Sequence, residues 1–180
     1  MVELTLYISA AQEMEAECEV VGQFLAGLLP SVRWTLHRTP TGRGNQNPDL
    51  RVIHESDLHL FIVGTDIVAP IGVEWREAQH GKATMFLFRA AGRALSPAAS
   101  FFLHHSGGQW RRFKSAADLV QKFERQLITE LIAGTPGYGL GLEEIEFLRD
   151  RLTQMSSETE LDETDARGAG QGGVILAKHP

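Results

Sequence analysis

The sequence has few features suited to covalent stapling or membrane passage. It holds a single cysteine, Cys18, so no intrachain disulfide can form and the disulfide-dense secreted architectures are excluded. No apolar run reaches the roughly 18–20 residues that a spanning helix needs. Basic residues are the minority: 17 Lys and Arg stand against 23 Asp and Glu, a net charge of −6, which argues against a general nucleic-acid-binding protein. Met1-Val2-Glu3-Leu4 lacks the basic-then-apolar pattern of a secretory signal. With the lone thiol, this sets the expectation of a reducing cytoplasm. Nor is there any collagen-like period or internal repeat.

What remains is ordinary globular composition: 180 residues, 43% hydrophobic and 22% charged. That length predicts one domain with a short appendage. Residues 157–180 carry five acids (Glu158, Glu160, Asp162, Glu163, Asp165) and two bases (Arg167, Lys178). Without them 15 bases face 18 acids, so half of the net charge lies in this tail. The expected division is therefore a domain over 1–133, a linker and amphipathic helix over 134–156, and an acidic, Gly-rich flexible tail over 157–180.

Strand and helix signals alternate along the body. Leu4–Ile8 reads as a strand, and Ser9 is placed to cap a following helix. Met14, Cys18, Val21, Leu25 and Leu28 recur at spacings of three and four, as on one helix face. Val32–Leu36 is a second strand, and the turn-rich loop over 38–48 is too long for a simple connector. A short helix is expected from Asp49 to Glu55. Leu58–Val63 is nearly all apolar, as in a central strand covered on both faces. A helix over Val73–His80 and a strand over Ala83–Phe88 follow. Then come a short helix over Pro97–His104, a short strand over Gln109–Phe113, a helix begun at Ser115, and a last amphipathic helix over Leu142–Met155. The alternation predicts a flavodoxin-like, three-layer α/β sandwich with about five parallel strands in the order 2-1-3-4-5.

In such sheets ligands lie at the carboxyl ends of the strands, at the switch point between strands 1 and 3. Two turns fall there, Ser9-Ala10-Ala11 and Gly64-Thr65-Asp66, with the helix carrying Glu74 and Trp75 beside them. A carboxylate at Glu74 can bond ribose hydroxyls and stabilise an oxocarbenium-like transition state. The plainer reading is an acid favoured by a helix N-terminus. Trp75 can stack on a flat ring or simply pack. Ser9-Ala10-Ala11 can receive a phosphate on free N–H groups, or be an ordinary cap. No Cys/His spacing matches a metal site. Gly134–Gly141 lacks the Lys-Ser/Thr of a phosphate loop, Cys18 falls on an apolar stripe, and Arg111-Arg112 beside Trp110 is too small a basic patch for nucleic acid.

Leu6 to Glu17 resembles the opening of a bacterial TIR-like domain of unknown function, the type found at the N-termini of STAND NTPases. Ser9, Glu13 and Glu17 match its pattern; Ala10, Ala11 and Cys18 depart from it. Ser56-Asp57 before the strand ending at Gly64 resembles a second motif. Glu74-Trp75-Arg76-Glu77-Ala78 with Gly81-Lys82 resembles a third. The likeness covers roughly residues 3–133 and extends to TIR domains and nucleoside deoxyribosyltransferases, in which a Glu stands four residues before a small residue, as Glu74 does before Ala78. It implies a signalling or effector domain of bacterial defence that cleaves the nicotinamide–ribose bond of NAD. Glu74 would be catalytic. Ser9, Ala10, Gly64, Thr65 and Asp66 would hold ribose and phosphate, and Trp75 would line the pocket. NAD is then the substrate, with no metal or prosthetic group, and self-association completes the site. Two alternatives stand beside it. One is a non-enzymatic adaptor or oligomerisation module meeting a separate signalling protein through the 38–48 loop, the 142–155 helix or the tail. The other is a deoxyribosyltransferase-like enzyme.

Overall fold

The computed structural model describes residues 2–40, 47–81, 83–134 and 138–168, with side chains described as far as residue 157. Five strands form one sheet: β1 (Val2–Ala10), β2 (Val32–Arg38), β3 (Leu58–Val63), β4 (Thr84–Ala90) and β5 (Arg111–Phe113). Every pairing is parallel and the order is β2-β1-β3-β4-β5, as the alternation of signals predicts. The six helices of the described residues are α1 (Glu15–Leu28), α2 (Leu50–Glu55), α3 (Ala69–His80), α4 (Pro97–His105), α5 (Ala116–Ala133) and α6 (Leu142–Gly168). None is long and apolar enough to cross a membrane.

Strand alternation divides the core in two. Leu4, Leu6 and Ile8 of β1, Leu58, Leu60 and Ile62 of β3, and Phe86 and Phe88 of β4 face α1 and α5. There they meet Met14, Cys18, Val21 and Leu25, the helix stripe visible in the sequence, and Leu119, Phe123 and Leu127 of α5. The opposite face is smaller and more aromatic: Phe61 and Leu87 pack against Ile71, Trp75 and Ala78 of α3. This face also carries the polar side chains of β1, and the site is built on it.

Three sequence expectations change. Ser9 is not a helix cap. β1 runs on to Ala10, paired with Ile62 of β3, so Ser9 lies inside the strand. The chain then makes a 3-10 turn over Gln12–Met14 before α1, and Ala11 caps that turn without any side-chain bond. Second, α3 begins at Ala69, four residues before the expected start, because Pro70 suits the first helical positions, where no N–H partner is needed. Glu74 therefore sits in the second turn, where the end-charge of the helix has largely decayed, and the N-terminal reading of this acid fails. Third, α6 continues past Met155 to Gly168. Residues 156–167 contain neither Gly nor Pro, so no residue breaks the helix before Gly168. Its first half packs on the body: Leu148 and Met155 join the α1/α5 core, and Arg151 Nε reaches the buried Glu124 of α5 at 2.7 Å. Val174-Ile175-Leu176 and the middle of the 38–48 loop lie outside the described residues.

Candidate functional site

Side chains from the carboxyl-terminal half of β1 and from just past β2 converge on one carboxylate. Glu74 is 0% exposed, one turn into α3 and above the polar face of β1. Tyr7, on that face, donates its hydroxyl to Glu74 Oε1 at 2.9 Å. Thr39, the residue after β2, donates to Oε2 at 2.7 Å. The same Thr39 hydroxyl accepts the Ala10 N–H at 3.1 Å, and the Thr39 N–H donates to Ile8 O at 3.0 Å. Thr39 thus stitches the end of β2 to the end of β1 and closes over the carboxylate. Ser9, only 1% exposed, lies close enough to stabilise the charge of Glu74, yet its Oγ meets no partner at hydrogen-bond geometry.

No Lys or Arg pairs with Glu74 among the described residues. Burial therefore holds its pKa above the ordinary carboxyl range, and the hydroxyls of Thr39, Ser9 and Tyr7 draw it only part of the way back. Tyr7 is pushed the same way, by burial and then by the charge of Glu74, so its proton stays on and points at the acid. His59, the residue opposite Tyr7 on β3, is also fully buried, with its ring 5.9 Å from that of Tyr7. Burial lowers its pKa, so it is neutral at physiological pH. Its Nε2 lies 3.0 Å from Ile53 O, which assigns the proton to that nitrogen and leaves Nδ1 bare.

The other sequence candidates lie close by, with their polar groups already engaged. The N–H groups of Thr65 and Asp66 both donate to Glu13 Oε1, at 2.5 and 3.0 Å. A phosphate held by this turn would have to displace that carboxylate. Gly64 permits the approach, because a Cβ there would stand 2.4 Å from Glu13 Oε1 and 2.7 Å from Met14 Cε. Asp66 itself is exposed; the Ser96 hydroxyl at 2.5 Å and the Ile67 N–H at 2.8 Å hold its pKa below the usual range. Trp75 is enclosed, edge-on to Phe61 and Phe102 with centroids 5.1 and 5.5 Å away, and stacked on Trp110 at 5.7 Å. At 7% exposure it is packed in this conformation. The Ala10 N–H, taken by Thr39, is likewise not free.

Sequence reasoning missed Tyr7, Thr39 and His59. Tyr7 and Ser9 left a signal: with Glu3 and Thr5 they make up the polar face of a strand that alternates polar and apolar residues. Thr39 left none, because only the fold brings the end of β2 onto α3. No three His, Cys, Asp or Glu side chains stand together as a metal-binding group among the described residues. No protein-family model matches the chain, and no curated protein matches it significantly.

Proposed function

We propose that this chain is a TIR-like signalling or effector domain of bacterial defence, in which Glu74 serves cleavage of the nicotinamide–ribose bond of NAD. One observation carries the reading: a fully buried carboxylate with no Lys or Arg beside it among the described residues, met by the hydroxyls of Tyr7 on β1 and Thr39 just past β2. Burying an uncompensated charge is costly, so a fold that needed only packing would be better served by an apolar residue there. Carboxyls with pKa values raised by burial, among convergent polar groups at a switch point, are the usual makings of a catalytic centre. The two hydroxyls that close on Glu74 are donors of the kind a ribose presents.

In the reaction the bond between C1′ and the pyridinium nitrogen breaks, and its electron pair leaves with neutral nicotinamide. Glu74 stabilises the ribosyl cation; water adds at C1′ and gives up a proton. In the present conformation the carboxylate is enclosed. The reading therefore requires Thr39 to withdraw and hand Oε2 to the substrate, with self-association as the event that opens the site. The test is nicotinamide release from NAD, followed by chromatography at high protein concentration with a crowding agent. Release by the wild type and none by Glu74→Gln is expected. No release from folded wild type, under conditions that drive its self-association, would reject the reading.

A second reading has its own support. Both oxygens of Glu74 are occupied and Trp75 is shut into an aromatic cluster, which suits a non-enzymatic adaptor whose buried acid fixes the junction of β1, β2 and α3. Under it, Glu74→Gln leaves partner binding intact.

A further inference from the structure

The outer edge of β4 is only half covered. β5 pairs with Phe88, Arg89 and Ala90, and among the described residues no strand lies beside Thr84, Met85 or Phe86 on that side. The Ala91 N–H donates to Phe113 O at 2.7 Å, toward β5. Backbone groups alternate sides along a strand, so Met85 turns its N–H and C=O to the same open edge. A groove of about 730 Å³ opens there, with Thr84, Met85 and Phe86 as its floor.

The walls are basic. Arg111 projects from β5, and Lys122 and Arg125 from α5. Glu130 is the one acid among the groove's lining residues; it accepts hydrogen bonds from the hydroxyls of Thr84, at 2.9 Å, and Tyr138, at 2.7 Å. Lys122 is paired with Asp118 at 2.9 Å. Arg125 donates to the neutral Ser156 hydroxyl at 2.9 Å, and neither Arg125 nor Arg111 has a carboxylate partner among the described residues. Arg111 stands opposite Phe88, a residue of the α5 face, so its side chain leaves the sheet on the α5 side.

We propose that this half-open edge captures an acidic, extended peptide segment of a partner protein as an added strand beside Thr84–Phe86. The backbone of the segment pairs with Met85. Every second side chain faces α5, and there carboxylates meet Arg111 and Arg125. The side chains between them face the side of Met85 and Leu87 and are apolar. An alternating acidic–apolar segment satisfies both faces, and charge complementarity selects it over a basic one.

A fluorescein-labelled hexapeptide of alternating Glu and Val is the probe, read by anisotropy and by the amide resonance of Met85. Binding that shifts this amide and weakens with added salt is expected. Arg111→Glu with Arg125→Glu should weaken binding by about tenfold or more. Both arginines are exposed, so the fold should persist; the milder Arg111→Gln with Arg125→Gln pair should weaken binding in the same direction. The proposal is overturned by no binding at roughly 1 mM, the weak end of the affinity scale. It is equally overturned by undiminished binding of a Lys–Val peptide or of the Glu–Val peptide to the charge-reversed protein. Undiminished binding of a peptide with a central proline would show attraction without strand pairing and would also overturn it.

Discussion

At the residue scale, the protein depends on how Glu74 is held. Its raised pKa means that the folded state binds a proton more readily than the unfolded chain. This carboxyl therefore adds stability below its ordinary pKa of about 4.3, and the gain is lost as pH climbs to the folded value. Glu74→Gln removes that dependence while keeping an acceptor for one hydroxyl and a donor for the other. The variant should be at least as stable as wild type at neutral pH. Its advantage should grow as pH rises through the window and then level off, as measured by urea unfolding at a series of pH values. Tyr7→Phe should act the other way. Losing a hydrogen bond to a buried carboxylate should cost about 1.5–3 kcal/mol, with the pKa of Glu74 climbing further. Cys18 gives a simpler test. Burial pushes its thiol up to about 11, and it packs in the α1 core. It should resist alkylation near pH 8 until the protein unfolds, with mass spectrometry as the readout.

At the element scale, α6 belongs to the body. Leu148 is completely buried against it, and the Arg151–Glu124 pair ties the helix to α5. Leu148→Ala should cost about 2–4 kcal/mol in a denaturant titration, the range for a buried Leu truncation. A helix held free for a partner would show almost no change. The elements themselves were largely legible. The stripe from Met14 to Leu28, the apolar run of β3 and the Ser115 cap, which accepts the Asp118 N–H at 3.2 Å, stand where periodicity and capping chemistry put them. The boundaries that moved have local causes. Pairing with β3 carried β1 through Ser9, and Pro70 drew the start of α3 back to Ala69. A propensity for capping yields to a sheet ladder when the neighbouring strand supplies partners for the backbone.

At the scale of the whole molecule, charge and core are segregated. The buried core described here ends at Met155, whereas half of the net charge lies beyond residue 156. Deleting 157–180 should lower the net charge from −6 to −3 and leave the thermal midpoint within about 2 °C, because it removes no residue of the described core. The sequence by itself determined the layer architecture and the strand order. Hydrophobic period is a local property, and short right-handed parallel crossovers leave few ways to join five such strands. It also brought Glu74, Ser9 and Gly64 to the same region of the sheet, though Ser9 lies within β1 and not in a turn. Only the tertiary structure decided what surrounds that acid. Tyr7, on β1, and Thr39, just past β2, stand 67 and 35 residues away along the chain, and the Glu13 carboxylate crosses 52 residues to fill the turn at Thr65. Such partners are chosen by register and burial, which carry no local period. Whether a carboxylate is open, paired or enclosed is therefore settled only once the sheet has closed around it.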